Sequence, residues 1–176
     1  VVRAVERVQS PQQRFQPGQV SIAHGFLIDR EDIQSCQRLG IGVSCHPILG
    51  YVYAEEMYAA WGPLAGRANP LASMLALGAR VSGGSDTLPC APLAGAAAAV
   101  TRMTWKGTSM GADEAIAPYQ GLRLFLQSAG AYVNDDRVGV LAPGSFTDFA
   151  VWPSDPLAVP PSQWPEMTSA MTVVGG

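Results

Sequence analysis

"ARVSGGSD", residues 79–86, is the stretch whose reading decides the fold. An apolar start runs into small residues, two glycines and a serine, and ends on the single carboxylate of Asp86. Such an acid has two ordinary readings. It is the N-cap of the next helix, or it is a functional group at the C-terminal edge of a parallel sheet, where barrel active sites are built. Pro89 and Pro92 follow it, which moves the expected helix start beyond Asp86 and leaves both readings open.

Working upstream, "QVSIAHGF" (19–26) alternates and reads as a short strand ending near His24. "DREDIQSCQRLG" (29–40) has Asp29 as N-cap, acids in the first turn, Ile33, Cys36 and Leu39 on one face, and Gly40 as its stop. "IGVSC" (41–45) is a second buried strand, and "RVSGG" (80–84) a third. "YAEEMYAAW" (53–61) and "NPLASMLALG" (69–78) read as helices. In the latter, Asn69 is expected to cap, with Pro70 at the first helical position and Gly78 just past the end. "PLAGAAAAVTRMTW" (92–105) is the helix after the third strand. Strand–helix alternation of this kind predicts a parallel sheet with right-handed crossovers, the three strands side by side in chain order.

Downstream the pattern changes. "DEAIAPYQGLRLFLQSAGAYV" (113–133) is helical with a break expected around Pro118. "GVLAPGSFTDFAVW" (139–152) places a Pro-Gly turn between two alternating stretches. It predicts a hairpin over 138–152, with Val140, Phe149 and Val151 among the buried positions. The Pro-rich "WPSDPLAVPPSQWPEM" (152–167) reads as loop, and "AMTVVGG" (170–176) as a last strand. The expected division is 1–136 for the α/β part and 137–176 for a small β part.

Composition bounds the rest. The 176 residues, 48% hydrophobic and 14% charged, suffice for one core or for part of a larger domain. A net charge of −3 gives no basic footprint, so no nucleic-acid partner is expected. No apolar run approaches the roughly 20 residues that span a bilayer, so no membrane partner is expected either. Cys36, Cys45 and Cys90 form no CxxC pair, which makes a reducing, cytoplasmic setting the default. "VVRAVERVQS" (1–10) lacks the pattern of a cleavable export signal and a start methionine, so the chain is expected to begin inside a longer one.

Polar groups gather at the ends of the three strands: His24 on the first, Cys45 and His46 on the second, Asp86 on the third. No short-range metal motif joins them, so any shared site depends on the fold. Each has a plain alternative. His24 is a strand-end histidine bonded to a backbone carbonyl, His46 before Pro47 a loop or wall residue, and Cys45 a small buried hydrophobe. Glu55 and Glu56 read as a solvated helix face.

"SIAHGFLIDREDIQSCQRLGIGVSCHP", "LASMLALGARVSGGSDTLP", "PLAGAAAAVTR", "GVLAPGSFTDFAVWPSDPLAVPP" and "TVVGG", in that order, resemble the C-terminal part of metal-dependent amidohydrolases. The third amidohydrolase subfamily, which includes N-substituted formamide deformylases, is the nearest likeness. The resemblance implies about three βα units of a (β/α)8 TIM barrel plus part of a β-sandwich. It matches His24 to a metal ligand ending the sixth strand. It matches Asp86 to the aspartate ending the eighth, which binds metal and serves as acid/base. His46 stands where a glutamine or similar residue is expected, and is a candidate substrate contact.

The implied activity is hydrolysis of a carbon–nitrogen bond, in a non-peptide amide or cyclic amide small molecule, by metal-activated water. The implied cofactor is a divalent metal, zinc, as one or two ions, with an incomplete site in this chain. The implied partner is the N-terminal remainder of the barrel or a homo-oligomer partner. A non-catalytic, truncated relative with a binding or structural role is the alternative. By itself the chain is expected to be inactive, since catalytic zinc normally takes three protein ligands.

Overall fold

The computed structural model describes residues 1–9, 14–86 and 91–176. Pro89, used above to move the helix start, and Cys90 lie outside the described residues. Three strands, β1 (Ser21–Ala23), β2 (Gly42–Cys45) and β3 (Arg80–Gly83), form one sheet in that order. Both pairings are parallel, with Ile22 opposite Val43 and Val43 opposite Val81. The expected arrangement is therefore found. The sheet is not closed into a barrel within this chain: among the described residues β1 and β3 each have a strand on one side only.

Helix α1 (Val2–Val8) packs on α2 (Arg30–Leu39). Both ends of α2 are set by local chemistry. The Asp29 carboxylate accepts from the Asp32 N–H at 2.8 Å, and Gly40 takes the left-handed conformation (φ 67°) that ends the helix. Its Ile33 and Cys36 are buried with Ile41, Val43, Leu71 and Met74 in the main core. Helix α3 (Pro47–Trp61) begins before the expected stretch, with Pro47 at its first position, and leaves helical geometry at Tyr53. Glu55 and Glu56 are exposed as expected. Glu55 pairs with Lys106.

Helix α4 (Leu71–Ala76) leads into β3, and α5 (Pro92–Thr101) follows it. The cap expected of Asn69 is a correction: Pro70 occupies the cap position and no side chain caps α4. Asn69 instead turns left-handed (φ 52°) and spends its amide on another element, described below. Helices α6 (Pro118–Leu124) and α7 (Gln127–Val133) complete the α/β part. Pro118 starts α6 rather than breaking a helix, as its missing N–H favours. The break expected near it lies at 115–117, between a 3-10 turn (Ala112–Glu114) and α6, and a second interruption falls at Phe125–Leu126.

The hairpin is a second correction. Residues 142–145 do turn, with the Ser145 N–H donating to the Ala142 carbonyl at 3.0 Å. The arm before the turn is not a strand. Strand β4 (Phe149–Val151) pairs antiparallel with β5 (Met171–Val173), so its ladder bonds go to the end of the chain. Val140 and Phe149 are half-buried, and Val151 is exposed in this two-stranded sheet. The Pro-rich segment is more ordered than a loop. Its 3-10 turn Pro161–Glu166 lies against α5, with Trp164 buried on Ala96 and Ala97. No helix among the described residues is long and apolar enough to cross a membrane.

Candidate functional site

Parallel pairing puts the ends of β1, β2 and β3 on one edge, which brings His24, His46 and Asp86 together. His24 Nε2 lies 3.4 Å from Asp86 Oδ2, with both side chains open to solvent (42% and 53% exposed). The His24 ring also stands against the His46 ring, centroids 4.3 Å apart, and stacks at 6.0 Å on Phe26. Phe26 in turn meets Trp61 at 6.0 Å. The three residues singled out in the sequence thus converge.

His24 (φ 57°) and Asp86 (φ 48°) both adopt left-handed backbone just past their strands. Non-glycine residues there carry strain, and such strain gathers at functional sites. Asp86 does not cap α5, whose cap position is Ala91 with no side-chain bond. Among the described residues, the charged or polar atom given to the His24 imidazole is the Asp86 carboxylate rather than a backbone carbonyl.

His46 is buried (7% exposed) at the cap position of α3. Burial, and next the neighbouring His24, hold its imidazole below the usual histidine range, while Asp86 pulls the other way. A neutral ring follows. Its Nδ1 is buried without a hydrogen-bond partner among the described residues. Gly84 is shaped to this ring. A Cβ at Gly84 would come within 2.7 Å of His46 Nε2, so only glycine allows the close approach. Cys45 is the small buried hydrophobe it was read as, its Sγ 3.6 Å from Met74 Sδ.

Two residues hold this edge that the sequence did not point to as parts of the site: Asn69, read there as a helix cap, and Arg102. The Asn69 side chain pairs with the His46 backbone. It accepts from the His46 N–H at 3.0 Å, and its amide lies 3.5 Å from the His46 carbonyl. The Asn69 N–H donates to the Phe26 carbonyl at 2.9 Å. Arg102, buried and left-handed (φ 51°), points its guanidinium at the carbonyls of Gly66, Ala68, Asn69, Met110 and Gly111 at 2.8–3.3 Å. A lone arginine closing an alanine-rich buried helix was the available signal for Arg102. The Asn-Pro pair offered none for Asn69, because it reads equally well as a cap.

Imidazole nitrogen and carboxylate oxygen are ordinary ligands for zinc and similar divalent ions. His24 and Asp86, exposed, close together and aimed at one place, fit such an ion as two donors. Among the described residues no group of three His, Cys, Asp or Glu side chains is placed to hold a metal.

Comparison with known proteins gives the class. Residues 1–176 match the amidohydrolase family, family 3, so the chain belongs to that family of enzymes. It is 25% identical over 170 residues to YtcJ of Bacillus subtilis (strain 168), whose name assigns it to the amidohydrolases. That match takes in 88% of this chain and 31% of YtcJ. An uncharacterized metal-dependent hydrolase from Pyrococcus horikoshii OT3 superposes with a TM-score of 0.69 at 18% identity, over 81% of this chain and 30% of that one. Atrazine chlorohydrolase TrzN from Arthrobacter aurescens TC1, complexed with zinc, superposes with a TM-score of 0.62 at 19% identity, over 90% and 35%. These structures share the fold. The chain spans about a third of the length of the relatives it matches.

Proposed function

We propose that this chain carries one side of the active centre of a metal-dependent hydrolase that cleaves carbon–nitrogen bonds in small non-peptide amides or cyclic amides. The observation that carries the reading is the His24–Asp86 pair, 3.4 Å apart at the C-terminal edge of a parallel sheet. Family membership supports the hydrolase class. A divalent ion held by these residues, with zinc the first candidate, would supply water that ionises near neutral pH.

The chain's own residues then have distinct tasks. His24 Nε2 would hold the metal. Asp86 would help hold it and move a proton with its carboxylate, taking it from water and returning it to the leaving amine. His46, neutral and walled in by Gly84, would line the substrate side. The remaining ligands would come from the N-terminal remainder of the barrel or from a second copy of the chain. The two-donor set supports the alternative, a non-catalytic relative, for the chain taken alone.

The test is metal analysis and an amide-hydrolysis screen on the longer protein, beside the chain alone and Asp86→Asn. The longer protein should retain divalent metal and hydrolyse an amide. Asp86→Asn should lower turnover roughly 100-fold to 10,000-fold, the usual worth of a positioned acid–base group. Near-normal activity in that variant would remove Asp86 from the chemistry.

A further inference from the structure

We infer that Asn69 is a positioning residue for the strand-end site, acting through the backbone of His46 and of the loop after His24. The inference rests on the reading above for what the site does, and on geometry alone for what Asn69 does. Its side chain reaches both the N–H and the carbonyl of His46, so one planar amide fixes where β2 ends and where the imidazole starts. The His46 ring is the surface against which His24 stands. The same residue's N–H holds the Phe26 carbonyl, and the Phe26 N–H donates to the carbonyl of His24 at 2.6 Å. Asn69 is thereby bonded to the exits of both β1 and β2.

Three features mark this as a built arrangement. Asn69 is 1% exposed, so its amide is paid for only by these partners. Its backbone is left-handed (φ 52°), a conformation asparagine tolerates better than most residues and aspartate shares. Its carbonyl accepts from Arg102 Nη1 at 3.3 Å, and the guanidinium spans the adjacent carbonyls of Gly66 and Ala68, which fixes the turn from which the side chain projects. Met110 and Gly111 anchor the other side of the arginine. The order of support runs from Arg102 to Asn69 to His46 and on to His24.

Two substitutions separate the side chain from the backbone. Asn69→Gly keeps the left-handed turn and every backbone bond while deleting the side-chain bonds to His46. Asn69→Asp keeps the acceptor for the His46 N–H. Amide hydrogen exchange, resolved at His46 and at α2, reads both variants in the protein that carries this chain, without any turnover. The His46 amide should exchange roughly tenfold faster or more in Asn69→Gly. It should stay within about threefold of the parent in Asn69→Asp, with α2 unchanged in both. In a hydrolytically active protein, kcat should fall in the glycine variant and recover in the aspartate variant.

Unchanged His46 exchange in Asn69→Gly overturns the inference. If that variant loses protection throughout α2 and so does not fold, Asn69→Asp decides: a folded aspartate variant with an unprotected His46 amide overturns it. If exchange responds as expected but no amide is hydrolysed, the positioning role stands and the functional reading of the preceding subsection fails.

Discussion

Arg102 Nη1 donates to the carbonyl of Asn69 at 3.3 Å, and both residues are buried with left-handed backbones. The pairing joins the end of α5 to the turn before α4. It also explains how an unpaired-looking cation survives inside: burial pulls the guanidinium below its ordinary range, with Glu114 and Asp113 opposing, and carbonyl oxygens take the place of water.

Arg102→Ala should therefore cost about 3–5 kcal/mol, since several buried carbonyls lose a charged donor together. Arg102→Lys should recover little of it, because an ammonium cannot present five donors in a planar fork. Urea unfolding of the three proteins checks both statements. A loss below about 1 kcal/mol in Arg102→Ala would mean that the carbonyls find water instead.

Gly84→Ala should disturb the site more than the fold. The new methyl would stand 2.7 Å from His46 Nε2 and 2.9 Å from its Cδ2, so the ring must move. Overpacking of this kind costs about 1–3 kcal/mol. The measurable consequence is loss of the His24–His46 ring contact in nuclear Overhauser spectra, with the α2 amides unaffected. An intact ring contact would show that the backbone after β3 yields in place of the imidazole.

The parts of this fold that were legible are those whose signals are local. Asp29, the acids after it and Gly40 announce α2 within a dozen residues, and the helix has those bounds. The parallel order of β1, β2 and β3 followed from short apolar strands separated by helices. Asn69 was misread because Asn-Pro before an apolar run is a good cap locally, while His46, far away in sequence, offers its amide two buried partners. The 139–152 hairpin failed for the same reason. Alternation shows that Phe149–Val151 is extended but not that Met171–Val173 is its partner. The convergence of His24 and Asp86 is a property of the sheet: the strand order placed both at one edge, and the family likeness gave that edge its chemistry.

Cys36 and Cys45 should resist alkylation in the folded protein. Burial, helped by the charge of Asp32, pushes the Cys36 thiol up to about 11. Burial pushes Cys45 up to about 12, with Arg102 opposing. Since the thiolate is the nucleophile, a thiol of that acidity is about one-thousandth ionised or less at pH 8, before its lack of access is counted. Peptide mapping after iodoacetamide treatment at pH 8 should find both unmodified in native protein and both modified in urea. Native modification of either would show that its part of the core opens readily.

Trp164 should tie the C-terminal segment to the α/β core. Its side chain is 1% exposed, packed on Ala96 and Ala97 of α5, where small residues leave room for an indole. The indole N–H donates to the carbonyls of Pro156 at 2.8 Å and Val159 at 3.1 Å, so the ring also closes its own Pro-rich segment. Trp164→Ala should cost about 3–5 kcal/mol. Trp164→Phe should cost less, keeping most of the packing and losing the N–H bonds at about 1 kcal/mol. Limited proteolysis distinguishes the two ways this can happen. Cleavage within 152–170 that rises in Trp164→Ala while α2 stays protected means that the segment detaches from an intact core. Loss of α2 protection in step with that cleavage means that the two parts unfold as one unit, and the close packing of Trp164 on α5 favours this second outcome.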